Sequence, residues 1–222
     1  MENTNAQNIP YSQELLRKTI HLLSLSIPLI YIYVTKEFAL QVLIPITMFF
    51  VFIDLLSKKN ATFAKFFYQI FGKMLRPHEK TQKLILNGAS WVLISACVFV
   101  FLYPKIIFVT SFIILIISDL SAALIGRRFG TIRFFDKSLQ GATAFVLSAF
   151  LIIFVLWIAF DAPTSYLIFG LLGAVAGAII ESLSVTLKMD DNLSIPLSVG
   201  LTMIAGSYFV QELGGDFLNL LP

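Results

Sequence analysis

The chain has 222 residues, of which 58% are hydrophobic and only 13% charged, and its mean hydropathy is +0.87. A soluble domain carries about 25% charged residues, so the composition excludes an ordinary soluble protein and leaves no room for a soluble domain beside membrane spans. A formal net charge of +3 gives no reason to expect a nucleic-acid partner, and the single Cys97 excludes an intramolecular disulfide and a cysteine-based metal site.

The expected fold is all-α: one polytopic transmembrane domain over residues 1–222, with about seven transmembrane helices and a cytoplasmic interfacial amphipathic helix. Residues 1–13 are polar. No small-residue cleavage site follows the first apolar run, so a permanent anchor rather than a cleaved signal peptide is expected there. Apolar runs of about 17–25 residues cross a bilayer, and seven are read at about 14–34, 37–56, 84–103, 105–126, 140–160, 164–187 and 194–213. Pro104 and Pro163 punctuate short turns. The stretch 57–83 differs: Phe63, Phe66, Phe67, Ile70, Phe71, Met74 and Leu75 recur at helical spacing among Lys65, Lys73 and Arg76, the pattern of a helix lying in the interface.

Orientation follows from the placement of Lys and Arg. With seven spans, one side carries Arg17 and Lys18, seven cations in loop 57–83, Arg127, Arg128, Arg133 and Lys137 in the next, and Lys188; the other side has only Lys36 and Lys105. An integral, multi-pass protein with a cytoplasmic N-terminus and an outer or lumenal C-terminus is therefore expected. The same map gathers the unusual polar residues at the cytoplasmic end: Arg17, Lys18, His21, Asp54, Asn87, Asp119, Arg127, Arg128, Lys137, Ser138, Glu181, Asp190, Asp191 and Asn192.

Asp119 stands at the inner end of the run 105–126, where a carboxylate at mid-membrane would cost roughly 2.5–3.5 kcal/mol; an interfacial position lowers that. Ala122, Ala123, Gly126 and Gly130 follow it on one helical stripe. Small residues admit either a neighbouring helix or a ligand. The loop that follows, GRRFG and then DKSLQG, offers backbone N–H groups and cations suited to phosphate, although the arginines also serve as topology charges. Glu181, Asp190 and Asp191 add carboxylates on the same face, and Mg²⁺ takes one or two carboxylates plus substrate phosphates. The MDDNLS stretch equally reads as a loop capping the last span through Asn192 or Ser194. His21 is either a base or an interfacial hydrogen-bonding residue.

DLSAALIGRRFG followed by KSLQG resembles the nucleotide-site signature shared by phosphatidate cytidylyltransferases and the CTP-dependent lipid kinases. RKTIH at the first span and ESLSVTLKMDDNLSIP near the end resemble the kinase branch, which contains dolichol kinase, phytol kinase and the CTP-using diacylglycerol kinase. The resemblance implies Mg²⁺-dependent phosphoryl transfer from CTP to a membrane lipid alcohol. It implies nucleotide contacts at Gly126, Arg127, Arg128, Gly130, Lys137, Ser138, Gly141 and Asn192, metal ligands among Asp119, Glu181, Asp190 and Asp191, and catalytic roles for Asp119, Lys137, Arg17, Lys18 and His21. Gln140 and Ala142 depart from the cytidylyltransferase pattern, where glutamate and a hydroxyl residue are common, and Gln140 is given no metal role. A CDP-lipid synthase and a small membrane transporter are the alternatives. Release of pyrophosphate would mark the first. Polar residues along the full membrane depth would mark the second, and the third and seventh runs offer few.

Overall fold

The computed structural model describes residues 17–19, 21–72, 75 and 86–221. His78 and the cations Lys73, Arg76, Lys80 and Lys83 of the basic loop lie outside them. After helical turns at 17–19 and 21–23, the chain forms α1 (Ser26–Tyr31), α2 (Lys36–Lys59), α3 (Ala61–Phe71), α4 (Gly88–Leu102) and α5 (Lys105–Phe129). A hairpin of β1 (Arg133–Phe134) and β2 (Lys137–Ser138) follows, then α6 (Leu139–Ala159), α7 (Thr164–Ser182), α8 (Ser184–Leu187) and α9 (Asp191–Glu212).

The fold is all-α apart from the hairpin, and five helices, α2, α5, α6, α7 and α9, are long and apolar enough to cross a membrane. The remaining two expected runs take shorter forms, for identifiable reasons. Pro28 has no N–H to donate to the Ser24 carbonyl four residues back; Ile27 N takes that carbonyl at 3.0 Å, and the chain tightens into a turn at 24–25. In the other run, Asn87 caps the start of α4 by accepting from Ser90 N at 2.9 Å. Pro104 forces Tyr103 into extended backbone at its end. The helix between has 15 residues, about 22 Å long. The described part of the basic loop is α3, capped by Asn60 Oδ1 through Thr62 N and Phe63 N. Phe67 is buried and Lys65 exposed, as an amphipathic helix requires; Phe66 is exposed as well, off the expected apolar face.

α5 is the axis of the bundle. Its best apolar window is 78% buried, against 22% for α2. Every residue from Ile106 to Ile116 is buried, the signature of a helix surrounded on all sides. α5 packs on α6 and α9, α7 joins α6 to α9, and α2 leans on α4 at the periphery. Small residues set the close crossings. A Cβ at Gly177 of α7 would stand 2.9 Å from Val199 Cγ2 of α9, and one at Gly170 would stand 2.9 Å from Ile153 Cγ2 of α6. Pro196, inside α9, leaves the Asn192 carbonyl without its helical donor; Ser95 Oγ of α4 donates to it at 2.6 Å, turning a helix defect into an α4–α9 tie.

The peripheral pair has its own polar joint. Asp54 near the end of α2 accepts from Asn87 N at 2.8 Å and from Ser90 Oγ at 3.4 Å, and it pairs with Lys58 at 3.1 Å. All four residues are buried at their side chains or as a whole. Asp54→Ala removes these contacts together and is expected to cost about 3 kcal/mol, read by thermal unfolding of the purified protein. A loss below about 1 kcal/mol would contradict the joint.

Candidate functional site

The second half of the chain runs back and forth through short connections, so the C-terminal part of α5, the start of α6, the end of α7 and the start of α9 share one end of the bundle. The helical turns carrying Arg17 and Lys18, and then His21, join them. Lys18 pairs with the Asp119 carboxylate, and both are almost fully buried. Asp119 is the fifteenth of the 25 residues of α5, well inside the helix, and it lies within electrostatic reach of Lys18, Lys137 and His21. Neutralisation by protein partners makes its charge tolerable there.

Lys137, on β2, reaches into the same region. It pairs with Glu181 at the end of α7 and with Asp191 at the start of α9, the latter at 3.3 Å. Burial works against its charge, but Asp191, Glu181 and Asp119 together outweigh burial and hold its pKa above the ordinary lysine value. The ammonium stays charged throughout the working pH range. Lys18 and Lys137, with Arg17 within electrostatic reach of Lys18, thus face the carboxylates of Asp119, Glu181 and Asp191.

The hydrogen-bonding inventory singles out this end too. Buried side-chain atoms without a partner among the described residues are His21 Nε2, Ser118 Oγ, Glu181 Oε2, Asp191 Oδ1, Ser194 Oγ and Trp157 Nε1. Only Trp157 belongs to the other end of α6. Native proteins leave few buried polar atoms unpaired, and each is a candidate contact for something else. Two of these are carboxylate oxygens on the residues that flank Lys137.

Other expected site residues have visible local work. Asp190, not Asn192 or Ser194, is the N-cap of α9: its Oδ1 accepts from Asn192 N at 3.0 Å and from Asn192 Nδ2 at 2.6 Å. Ser138 caps α6 by accepting from Gly141 N at 3.2 Å. Its hydroxyl sits in a cradle of glycines. A Cβ at Gly126 would stand 2.9 Å from Ser138 Oγ, one at Gly130 2.7 Å, and one at Gly141 3.1 Å. These three glycines let α5 cross α6 over Ser138, which gives Gly126 and Gly130 of the stripe a packing role. Arg127 and Arg128 are exposed at the end of α5. Gln140 ties the loop, accepting from Thr131 N and Ile132 N and donating to Thr131 Oγ1 at 2.6 Å. Among the described residues no three His, Cys, Asp or Glu side chains come together as a metal cage.

Sequence reasoning missed the pairings themselves. It treated Lys18 and Lys58 partly as topology charges, yet both side chains are nearly fully buried. The signal for the second was available, since Asp54 and Lys58 stand four apart on one helix. It also gave Asp136 and Thr186 no role, though they bond to each other twice.

Fold and site together define a multi-pass α-helical membrane protein with a buried, multiply charged centre at one end. The chain is 30% identical over 194 residues to "Uncharacterized protein RP860" of Rickettsia prowazekii (strain Madrid E), an alignment covering 87% of this chain and 95% of the relative, and it belongs to that protein's family. No family model and no solved structure matches it.

Breaking one side of the Lys18–Asp119 pair should be far worse than removing both. Lys18→Met is expected to cost about 3–5 kcal/mol, while Lys18→Met combined with Asp119→Leu recovers at least about half of that. Denaturation of the two variants in one detergent measures this, and equal or additive losses would contradict a buried pair.

Proposed function

We propose that the chain is a membrane lipid-alcohol kinase, transferring the γ-phosphoryl group of CTP to the hydroxyl of a diacylglycerol, polyprenol, dolichol or phytol-like acceptor at the cytoplasmic interface. The observation that carries the reading is the assembly of Lys18, Asp119, Lys137, Glu181 and Asp191 at one end of an apolar bundle, with unpaired carboxylate oxygens left on Glu181 and Asp191. Such an expense of buried charge in a membrane protein marks a substrate or ion site. The resemblance of the surrounding motifs selects phosphoryl transfer among the chemistries open to it.

The donor set suits Mg²⁺. Glu181 Oε2 and Asp191 Oδ1 are hard oxygen ligands, two carboxylates being the usual protein share of a site completed by nucleotide phosphates. Mg²⁺ held there would neutralise charge on those phosphates. Lys137, charged and held between the same carboxylates, binds phosphate oxygens. Lys18 keeps Asp119 ionised and in place. Exposed Arg127 and Arg128 meet the nucleotide from the aqueous side. His21, whose Nε2 has no partner among the described residues, accepts the proton of the lipid hydroxyl. The hydroxyl oxygen then bonds to the γ-phosphorus, the bond from that phosphorus to the β–γ bridging oxygen breaks, and CDP leaves.

In this reading the first apolar run and α4 complete a seven-pass topology, α3 lies in the cytoplasmic interface, and the C-terminus is outside. In a Cys97→Ser background, cysteines at Thr131 and Thr164, both exposed, should react with an impermeant thiol reagent from opposite sides of sealed vesicles. Reaction from the same side would overturn the topology.

The activity itself is tested with γ-labelled CTP and ATP, Mg²⁺ and a panel of lipid alcohols. Label is expected in a lipid phosphate, with CDP as coproduct, and Lys137→Ala is expected to lower nucleotide kcat/KM by about 100-fold or more. Release of pyrophosphate would instead identify a CDP-lipid synthase, and no product from any nucleotide would overturn the reading.

A further inference from the structure

Lys137 is carried by a hairpin of two-residue strands, paired through Arg133 with Ser138 and Phe134 with Lys137 and continued by Leu139 N donating to the Ile132 carbonyl at 2.8 Å. So small a hairpin has no stability of its own. Its turn is further burdened by Phe135, whose φ is +51°, a left-handed conformation uncommon for a bulky residue. Gln140 holds the approach to the hairpin at Thr131 and Ile132, and the turn itself is held from outside. Asp136 N donates to the Ser182 carbonyl at 3.0 Å, where α7 ends. The Asp136 carboxylate accepts from Thr186 N at 2.7 Å through one oxygen and from Thr186 Oγ1 at 2.8 Å through the other. The three bonds clamp the hairpin, one residue before Lys137, to both sides of the break between α7 and α8: to Ser182, next to Glu181, and to Thr186.

We propose that Asp136 is a positioning residue for Lys137: latched on Thr186, it fixes the hairpin against the α7–α8 break and thereby holds the Lys137 ammonium between Glu181 and Asp191. This rests on the reading of Lys137 as a phosphate-binding group, but the latch itself is a separate claim. Neither Asp136 nor Thr186 is buried, so the latch is a surface device. The hydrogen bonds from Thr186 hold the Asp136 carboxyl below its ordinary range, which keeps both of its oxygens acceptors at neutral pH. Asparagine at 136 still offers a carbonyl oxygen to Thr186 N and an amide; alanine offers neither. Thr186→Val removes the hydroxyl bond and keeps the backbone one.

The test follows amine modification of the purified full chain by mass spectrometry, taking the rate at Lys137 relative to exposed Lys65 on α3. Lys137 has 29% of its side chain accessible and two carboxylate partners, so it should react slowly in the wild type. Asp136→Ala is expected to raise the ratio at least about threefold through local release of the hairpin. Thr186→Val should raise it less, and Asp136→Asn should stay near wild type. Should Asp136→Ala fail to fold, Thr186→Val and Asp136→Asn carry the comparison. With CTP and a lipid alcohol, Asp136→Ala is expected to raise the nucleotide KM about fivefold with kcat within about twofold, the pattern of lost ground-state binding. An unchanged labelling ratio in both Asp136→Ala and Thr186→Val would overturn the latch. A raised ratio with KM unmoved would overturn the positioning role. Absence of phosphoryl transfer in the wild type would defeat the kinase reading, and the labelling ratio would then decide the latch alone.

Discussion

Charge removed from water must be neutralised where it lies, and this constraint organises one end of the bundle. An ionised carboxylate inside an apolar helix is affordable only with a counter-charge and hydrogen bonds around it. Asp119 meets the requirement through Lys18, Glu181 and Asp191 meet it through Lys137, and Asp54 meets it through Lys58 with the start of α4. The Lys18 and Lys137 pairs join parts distant in sequence, and Asp54, paired within α2 to Lys58, reaches the start of α4. Lys18 ties the first turn to α5, 101 residues on. Lys137 ties the hairpin to α7 and α9. The helices cannot slide past one another without stranding a charge.

The defects in the helices serve the same arrangement. Pro28 breaks the first apolar run just after His21, so the segment bearing Arg17, Lys18 and His21 ends in a tight turn rather than continuing as one straight rod. The break at Leu183 exposes Thr186 N–H to Asp136. Pro196 frees a carbonyl that Ser95 uses to draw α4 onto α9. The glycines at 126, 130 and 141 bring α5 and α6 close enough for Ser138 to cap α6 between them and for Lys137 to start from that contact. The proposed phosphoryl-transfer centre would thus be built from irregular backbone held in a regular, apolar frame, as transport and catalytic centres in membranes require.

The frame was legible in the sequence because bilayer thickness leaves a strong mark: runs of sufficient length appeared as α2, α5, α6, α7 and α9. The two runs that took another form were long enough in composition but carried Pro28 inside and Asn87 and Pro104 at the ends, and hydropathy does not weigh lost hydrogen bonds. The collection of polar residues at one end was legible for the same reason, since charges in apolar runs are few. Their pairing was not. Lys18 and Asp119 carry no spacing that links them, and the order of packing among α5, α6, α7 and α9 decides which carboxylate a lysine meets. The small-residue stripe after Asp119 was open to two readings. The structure shows α5 and α6 crossing closely over Ser138, at the same residues where the resemblance implies nucleotide contacts.

The claim at the centre is that the charged end of the bundle receives a magnesium nucleotide rather than merely locking helices together. Direct binding tests it most plainly: thermal unfolding of the purified protein with CTP across a Mg²⁺ series, beside Glu181→Gln and Asp191→Asn. A ligand bound only by the folded state stabilises it by about 2.7 kcal/mol at one hundred times its Kd, so the wild type should gain stability with CTP in a Mg²⁺-dependent manner and the two variants should lose that gain. Stability indifferent to every nucleoside triphosphate, with and without Mg²⁺, would contradict the account and leave the cluster a structural lock.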